Sequence, residues 1–313
     1  MMRLLMAAGI LLLCQQPDFP NKLIMTNHGK VVMKADPAKL SVPFLPLIDQ
    51  RKLDAFTQRV ARKVDQAPVN ARIGNSGAII PGKNGKTLDR RQFTEQVYHH
   101  AFSHDQSKLK LPLLTIYPKV DDELLSQIRE QRISAYQTFF NAGNKSRSHN
   151  IELAAKALDS HVVFPNEIFS FNQTVGMRTK AKGYLSAKVI VRGEYVEGIG
   201  GGICQVSSTL FNAVDRAGLK IVERYSHSKR VAYVPEGRDA TVSWDGPDFR
   251  FKNTSNQPVL IRAHKYGGTI AFALYSSDMI QLSKRDVPEA SKRVPKEIKK
   301  EKEGDKPKSP DTP

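Results

Sequence analysis

The chain has 313 residues, with 48 lysines and arginines against 31 aspartates and glutamates, which gives a formal charge of +17. That length suits about two domains, and 40% hydrophobic with 25% charged residues excludes a wholly disordered chain, a collagen-like repeat and a multi-span membrane protein. Two cysteines are too few for a disulfide framework or a cysteine-rich zinc site. The positive charge predicts an anionic partner, such as nucleic acid, lipid headgroups or an acidic polymer of the cell envelope.

The amino terminus carries an apolar run, Leu4–Leu13, directly after Arg3. This run is short for a membrane span but suits the hydrophobic region of an export signal, so residues 1–24 are predicted to be a signal peptide or membrane anchor. Cys14 stands where a bacterial lipoprotein would be lipidated, although the bulky Leu13 disfavours that cleavage. The alternative is an ordinary buried amino-terminal segment. Export predicts a location at the cell wall or on the outer face of the cytoplasmic membrane.

Residues 25–120 are predicted to form a small α+β module with one sheet and two helices. Its predicted elements are a strand at Leu23–Lys34, a helix capped by Asp49 and ending before Pro68, a hairpin at Val69–Ile80, a helix at Arg90–Phe102 and a strand at Leu111–Tyr117. Pro68–Arg72 (Pro-Val-Asn-Ala-Arg) and Ile80–Gly85 (Ile-Pro-Gly-Lys-Asn-Gly) resemble the pattern of the peptidoglycan-binding module that often precedes VanW domains. The resemblance implies carbohydrate binding, and a purely structural spacer is the alternative.

Residues 121–146 are predicted to be a helical connector, because Leu124, Leu125, Ile128 and Ile133 fall on one helical face. Residues 147–276 follow as the second domain, in which a glycine-rich stretch leads into a helix that Gly218 ends. Strand patterns then recur at Leu219–Ile221, Val231–Val234, Asp239–Trp244, Phe249–Phe251, Val259–Ala263 and Thr269–Leu274. The whole chain is therefore predicted to be α+β, with a helix packed on a mainly antiparallel sheet.

The motifs of the second domain resemble the VanW family, named after an accessory protein of vancomycin-resistance clusters. They are Arg147-Ser-His-Asn150, Phe169-Ser-Phe-Asn172, Gly200-Gly-Gly-Ile-Cys-Gln-Val-Ser-Ser-Thr-Leu210, His227-Ser, Tyr233-Val-Pro and Gly237-Arg-Asp-Ala-Thr-Val242. The resemblance implies an exported cell-envelope protein of a Gram-positive bacterium that acts in cell wall maintenance or glycopeptide resistance. It implies no particular reaction.

The candidate reactive group is Cys204, in the first turn of the helix that follows the glycines. Unsatisfied backbone N–H groups and the helix dipole stabilise a thiolate there, and the same N–H groups can hold an oxyanion. His227 is the candidate base and Asp239 the candidate orienter, with Asp245 as the substitute. The order and layout resemble transglutaminase-like and NlpC-like cysteine enzymes. The predicted activity is a cysteine-dependent hydrolase or acyltransferase, including a transpeptidase, on peptidoglycan peptides.

A non-catalytic peptidoglycan-binding or scaffold protein is the alternative, since a small thiol after glycines also permits close packing. Gly200, Gly201 and Gly202, with Gln205 and Ser207, are then the residues expected to bind the ligand. We predict no cofactor, because Gly198–Gly202 does not fit a dinucleotide or phosphate loop. We predict no metal site, because the histidines His149, His161 and His264 lack ligand spacing.

The carboxy-terminal residues 277–313 are predicted to form a disordered charged tail, because Lys284–Asp311 is dense in Lys, Glu and Pro and lacks aromatic residues. The predicted partner of the protein is peptidoglycan or another anionic wall polymer, with peripheral contact to the membrane as a further expectation. No nucleic-acid partner is predicted, because no basic helix with interleaved aromatic residues is present. The sequence does not indicate an oligomeric state.

Overall fold

The structure is a computed structural model that describes residues 23–42, 47–102, 108–191 and 194–294. The expected export signal or anchor, residues 1–24, falls almost entirely outside these residues. Within the described residues, no helix combines the length and the apolar character needed to cross a membrane. The chain divides into two compact units, Met1–Ala71 with Gly82–Lys119 and Arg72–Pro81 with Val120–Pro313.

Helices and strands alternate irregularly along the chain. The helices are α1 (Gln50–Val64), α2 (Arg90–Phe102), α3 (Asp122–Ile128), α4 (Lys145–Leu158), α5 (Phe171–Val175) and α6 (Ile203–Arg216). The strands are β1 (Leu23–Asn27), β2 (Lys30–Ala35), β3 (Arg72–Ile73), β4 (Ile79–Ile80), β5 (Gly85–Leu88), β6 (Lys108–Lys110), β7 (Leu113–Ile116), β8 (Gln131–Phe139), β9 (His161–Val163), β10 (Ile168–Ser170), β11 (Ser186–Val191), β12 (Glu194–Ile199), β13 (Lys220–Glu223), β14 (Arg250–Lys252), β15 (Val259–Tyr266) and β16 (Thr269–Ser276). The predicted α+β class is confirmed.

The first unit contains a three-stranded sheet in the order β2-β1-β6 and a β5-β7 pair. Helix α1 begins as predicted, because the Asp49 carboxylate accepts hydrogen bonds from the backbone N–H groups at the first turn. Its apolar face buries Phe56, which meets Phe93 of α2 at a ring-centroid distance of 5.9 Å. Burial of these faces against the sheet residue Met25 forms the core of this unit.

The predicted hairpin around residues 72–80 is formed by β3 and β4. It belongs to the second compact unit, whereas the predicted 25–120 module would include it in the first. The backbone N–H of Ile73 donates to Ser160 Oγ at 3.0 Å, after helix α4 of that unit. Ile73 is buried, so hydrogen bonding and burial both attach the hairpin there.

The second unit is built on a four-stranded antiparallel sheet in the order β8-β16-β15-β9. Helix α6 packs on β8 and β16, and α4 packs on β15. A smaller sheet, β10-β14-β13, and the β11-β12 hairpin complete the unit. Val206, Leu210 and Val214 of α6 are fully buried in the core between helix and sheet. Their spacing is the helical spacing that the sequence predicts.

The predicted helical connector at 121–146 is wrong in its second half, where β8 is a strand. The strand pattern is inconspicuous because the side chains that β8 directs at α6 are mostly polar. Ser134 Oγ donates to the carbonyl of Ala213 at 2.7 Å, and Thr138 Oγ1 pairs with Thr209 Oγ1 at 2.8 Å. Buried polar side chains are tolerated when they are hydrogen-bonded, but they remove the alternation of apolar and polar residues that reveals a strand.

The strands predicted at Val231–Val234 and Asp239–Trp244 are also wrong, because the described chain between β13 and β14 is irregular. This segment is attached to side chains of α6 instead of to a neighbouring strand. Ser208 Oγ accepts from the N–H of Ala240 at 2.8 Å, and Asn212 Nδ2 donates to the carbonyl of Arg238 at 2.8 Å. The backbone is therefore satisfied without strand pairing.

The predicted disordered tail at 277–313 is wrong for the part that the structure describes. Val287 and Ala290 are buried in the core of the second unit. The carbonyls of Val287 and Pro288 accept hydrogen bonds from Arg216 and from the Tyr136 hydroxyl, at 2.7 and 2.9 Å. Two buried apolar side chains and two hydrogen bonds thus attach the segment to the domain. Residues 295–313 lie outside the described residues.

Candidate active site

The glycine-rich loop before α6 passes very close to strand β11. A Cβ on Gly201 would lie 2.6 Å from the carbonyl oxygen of Lys188 and 2.7 Å from that of Ala187, so a side chain there would displace the loop. Gly202 caps α6 with a φ of 108°, a backbone region that glycine adopts at low cost. These glycines allow α6 to begin directly beneath the loop, with Cys204 in its first turn.

The structure brings together Cys204, His227 and Asp239. His227 Nδ1 lies 2.6 Å from Asp239 Oδ2, and the His227 imidazole interacts electrostatically with the Cys204 thiol. The thiol also lies 3.6 Å from the carbonyl oxygen of Val242 and 3.7 Å from Thr241 Oγ1. Cys204 remains partly exposed, which is the arrangement a nucleophile needs.

The electrostatics of this group favour a charged sulfur and a charged imidazole. Burial alone raises the pKa of Cys204, but its hydrogen bonds and charge interaction with His227 outweigh burial, so the net pKa is lowered. Burial alone lowers the pKa of His227, but the hydrogen bonds to Asp239 and Cys204 raise it to about 9. The pKa of Asp239 is lowered, because its bonds to His227 outweigh burial. These shifts move the pair towards a thiolate beside an imidazolium.

Asp239 is held on both sides, which fixes the orientation of the imidazole. Its Oδ2 also accepts the backbone N–H of His227 at 2.6 Å. Arg224 lies 3.4 Å from its Oδ1 and donates from Nε to its backbone carbonyl at 2.6 Å. The guanidinium is itself positioned over the ring of Phe211, 5.1 Å from the centroid. Sequence reasoning assigned no role to Arg224, which belongs to the Glu223-Arg motif and directly follows the β13 strand.

Cys204 and His227 line a cavity of about 630 Å³, a size typical of sites for small ligands. Much of the wall is apolar, with Trp244, Val231 and Met177 among the lining residues. The charged lining residues are Arg147, Arg178, Lys188, His227 and Asp245. Positive groups therefore outnumber the single carboxylate on the described wall.

The predicted binding residues divide into two groups. Gly200, Gly202 and Gln205 line the cavity. Gly201 and Ser207 are not among the described lining residues, which corrects their assignment as ligand-binding groups. Ser207 is fully buried, and its hydroxyl donates to the carbonyl of Ala240; Gly201 faces the backbone of β11.

Gln205 lines the cavity but its side-chain amide is already used within the protein. Its Nε2 donates to Thr138 Oγ1 and to the carbonyl of Phe139, both at 3.0 Å. Its Oε1 accepts from Arg147 Nη2 at 2.7 Å. Gln205 therefore positions Arg147 and α6, and it has little capacity left for a ligand.

The substitute orienter, Asp245, also lines the cavity. The carboxylate that hydrogen-bonds His227 is nevertheless that of Asp239. Asp245 is exposed, next to Trp244 on the irregular segment before β14. The described contacts thus favour Asp239 over Asp245 as the partner of the imidazole.

Sequence reasoning quoted the motif around Arg147 and Asn150 without assigning it a task. Asn150 holds the glycine loop in place: its Nδ2 donates to the carbonyls of Leu185 and Gly201 at 2.9 and 3.1 Å, and its Oδ1 accepts from the N–H of Leu185 at 2.8 Å. Arg178, Tyr233 and Trp244 were missed as cavity residues. Tyr233 belongs to the quoted Tyr233-Val-Pro motif, whereas the sequences around Arg178 and Trp244 give no signal, because only tertiary folding brings these residues to the cavity.

Groups of three or more His, Cys, Asp or Glu side chains that are placed to hold a metal ion are absent from the described residues.

Comparison with known proteins identifies two domains. Residues 146–275 match the family model described as "VanW like protein", and residues 23–110 match the model described as "Putative peptidoglycan binding domain". The chain is 52% identical over 299 residues to "Uncharacterized protein YoaR" of Bacillus subtilis (strain 168), which covers 95% of this chain and 99% of that protein.

A second relative is "Vancomycin B-type resistance protein VanW" of Enterococcus faecalis (strain ATCC 700802 / V583). It is 30% identical over 117 residues, which is 36% of this chain and 42% of that protein. No solved structure gives a significant match, so the transglutaminase-like layout stays a prediction. The chain belongs to the VanW-like family and carries a peptidoglycan-binding domain before its VanW-like domain, a combination that indicates a role at the cell wall in an extracytoplasmic location.

Proposed function

We propose that this protein is a cysteine-dependent hydrolase or acyltransferase that acts on peptidoglycan peptides. The observation that carries the proposal is the series Cys204, His227 and Asp239, in which Cys204 and His227 line one cavity of about 630 Å³ and the His227 imidazole is hydrogen-bonded to the Asp239 carboxylate. Such a series is the general design of an activated thiol: a base beside the nucleophile and a third group that orients the base. Its members come from three separate stretches of chain.

In the proposed reaction, the Cys204 thiolate attacks the carbonyl carbon of a peptide amide. The imidazolium of His227, with its pKa raised to about 9, donates its proton to the leaving amine as the C–N bond breaks. A thioester is left on Cys204. Water or the amine of a second peptide then attacks the thioester carbonyl and gives its proton to neutral His227. The C–S bond breaks, Cys204 leaves as the thiolate, and the product is a carboxylic acid after hydrolysis or a new amide after transfer. The backbone N–H groups at the start of α6 are the candidates for holding the oxyanion.

The domain organisation supports a wall substrate. The peptidoglycan-binding domain at residues 23–110 would hold the VanW-like domain close to wall peptides and raise their effective concentration. The net charge of +17 favours the anionic polymers of the envelope. The name of the Enterococcus relative refers to vancomycin resistance, and we propose a role in glycopeptide resistance for this chain as well. Delivery would require the export signal predicted at residues 1–24.

The proposal is tested by incubating the purified full-length chain with muropeptides and identifying products by mass spectrometry. We expect cleavage or cross-linking by the native chain and its loss in Cys204→Ala, with the melting temperature nearly unchanged because little packing is removed. Val214→Ala, which removes two buried methyl groups from the same helix about three turns beyond Cys204, is the matched control for damage to α6.

A native chain that binds peptidoglycan but converts no peptide would contradict the enzyme proposal and favour the non-catalytic binding or scaffold protein. Loss of activity in Cys204→Ala that is accompanied by unfolding would be resolved with Cys204→Ser. Serine keeps the size of the side chain but is a much weaker nucleophile in this setting, so a folded Cys204→Ser with native activity would also contradict the proposal.

A further inference from the structure

Arg178 occupies the cavity wall together with Cys204, and the proposed mechanism gives it no task. Its guanidinium is fixed by two contacts. Nη2 donates to Asn172 Oδ1 at 2.7 Å, and the group lies over the ring of Phe171 at 5.7 Å from the centroid. The side chain is therefore held in one orientation before any ligand binds.

The other amino group of this guanidinium has no acceptor. Arg178 Nη1 is buried, and no described group lies within hydrogen-bonding reach of it. Most buried polar groups in proteins are hydrogen-bonded, and a charged donor left unsatisfied is especially costly. Arg178 itself lines the ligand-sized cavity, so a small movement of the guanidinium would offer this unused donor to a ligand.

The charges around Arg178 point to the chemistry of that ligand. Burial lowers the pKa of Arg178, whereas the charges of Cys204, Tyr184 and Asp248 raise it. The nearby Asp248 is already used, because its carboxylate accepts from the Ser170 hydroxyl and from the N–H of Asn172. In the described ion pairs, neither Arg178 nor Arg147 has an acidic partner.

We propose that Arg178 binds a free carboxylate of the substrate, so that the preferred substrates are peptides in which a carboxylate lies close to the scissile amide. A guanidinium with an unused N–H edge matches a carboxylate oxygen in both charge and geometry. Arg147 and Lys188, on the same wall, add positive charge that favours the same ligand. This inference rests on the proposed function, because it assumes that Cys204 is the group that reacts.

The inference is tested with alkylating probes that report on Cys204 itself. The probes are bromoacetate, bromoacetyl-glycine and bromoacetyl-glycyl-glycine, each paired with its carboxamide, so that the carboxylate reaches different distances from the sulfur. In every case sulfur displaces bromide. The rate at Cys204 is measured by peptide mass spectrometry on the full-length native chain, and the readout is the ratio of carboxylate to carboxamide rates.

In the native chain we expect at least one pair to favour the carboxylate about tenfold or more, the advantage that a charge-assisted hydrogen bond can give. Arg178→Met should abolish this preference; because both probes of a pair react with the same thiolate, the ratio cancels any change in the reactivity of Cys204 itself. Arg178→Lys should keep only part of it, because an ammonium group does not reproduce the planar contact. Lys180→Met, which removes the same charge from an exposed residue outside the cavity wall, should keep the native ratio.

A preference that persists in both Arg178 variants, or that disappears equally in Lys180→Met, would overturn the inference while leaving the proposed function in place. If Arg178→Met does not fold, Arg178→Lys decides the matter alone. Failure of every carboxamide probe to react with Cys204 in the native chain would instead contradict the proposed function itself, and the inference with it.

Discussion

Replacing Asp239 by asparagine removes the charge that holds the His227 imidazole in its protonated form. The two side chains are 9% and 5% exposed, with 2.6 Å between Asp239 Oδ2 and His227 Nδ1, so their interaction is poorly screened by solvent. His227 has a pKa of about 9 in the native site, with Asp239 first among the groups that raise it and burial opposing them. Without that carboxylate, the pKa should fall towards about 6.5, the ordinary value, because burial then opposes only the contribution of Cys204.

The size of this change can be stated at pH 7.5. A pKa of about 9 leaves about 97% of the imidazole protonated, whereas a pKa of about 6.5 leaves about 10%. This fall in the pKa corresponds to about 3 kcal/mol, which is the upper bound on how much Asp239 stabilises the protonated imidazole relative to the neutral one. Because the imidazolium is lost, the pKa of the Cys204 thiol should rise and peptide conversion near neutral pH should fall by about tenfold or more.

The assay is the NMR titration of the His227 ring, assigned by comparison with His227→Gln. Asp122→Asn, an exposed acid at the start of α3, is the control and should leave the titration unchanged. A His227 midpoint that stays near 9 in Asp239→Asn would refute the reasoning. So would a shift produced by Asp245→Asn and not by Asp239→Asn, since Asp245 would then be the orienter.

Three further predictions concern stability and the loop. Val287→Ala should lower the free energy of unfolding by about 2 kcal/mol, measured by urea denaturation, whereas Val294→Ala, 50% exposed, should change it little. Gly201→Ala should slow Cys204 alkylation, because its Cβ would meet the β11 backbone, while Gly246→Ala, with only ordinary contacts, should not. The raised pKa of His227 contributes stability that is complete below about pH 6.5 and lost as pH rises through about 9, whereas the lowered pKa of Cys204 acts in the opposite direction over the same range. Melting scans of Cys204→Ala, which removes the opposing contribution, should therefore show a decline above about pH 6.5 that the double variant Cys204→Ala/Asp239→Asn lacks.

The elements that sequence reasoning predicted well are those whose signals are local. Helix α1 combines an N-cap at Asp49 with apolar residues on one face, and its boundaries follow directly. The start of α6 was predicted for the same reason: glycines end one segment, and apolar residues at helical spacing begin the next. The Cys204 thiol was therefore located at a helix terminus without knowledge of the tertiary fold.

What sequence reasoning could not predict depends on contacts between distant residues. Strand β8 is hidden because Ser134 and Thr138 are buried through hydrogen bonds to α6. The segment around Ala240 alternates like a strand, yet hydroxyls of α6 bind its backbone and keep it irregular. Nothing in the sequence around Arg178 resembles a binding motif, and only the folded structure places this residue at the cavity. The candidate reactive residues were thus easier to predict from the sequence than the residues that form the cavity around them.

The measurement that tests the central claim most directly is the rate of Cys204 alkylation by iodoacetamide as a function of pH. A neutral reagent reports the thiolate alone, and peptide mass spectrometry separates Cys204 from Cys14. In the native full-length chain we predict a midpoint below about 8.5, the ordinary pKa of a free cysteine, and a shift to higher pH in Asp239→Asn. A midpoint at or above 8.5, or a thiol that reacts only after unfolding, would contradict the account of a thiolate held beside an imidazolium in an accessible cavity.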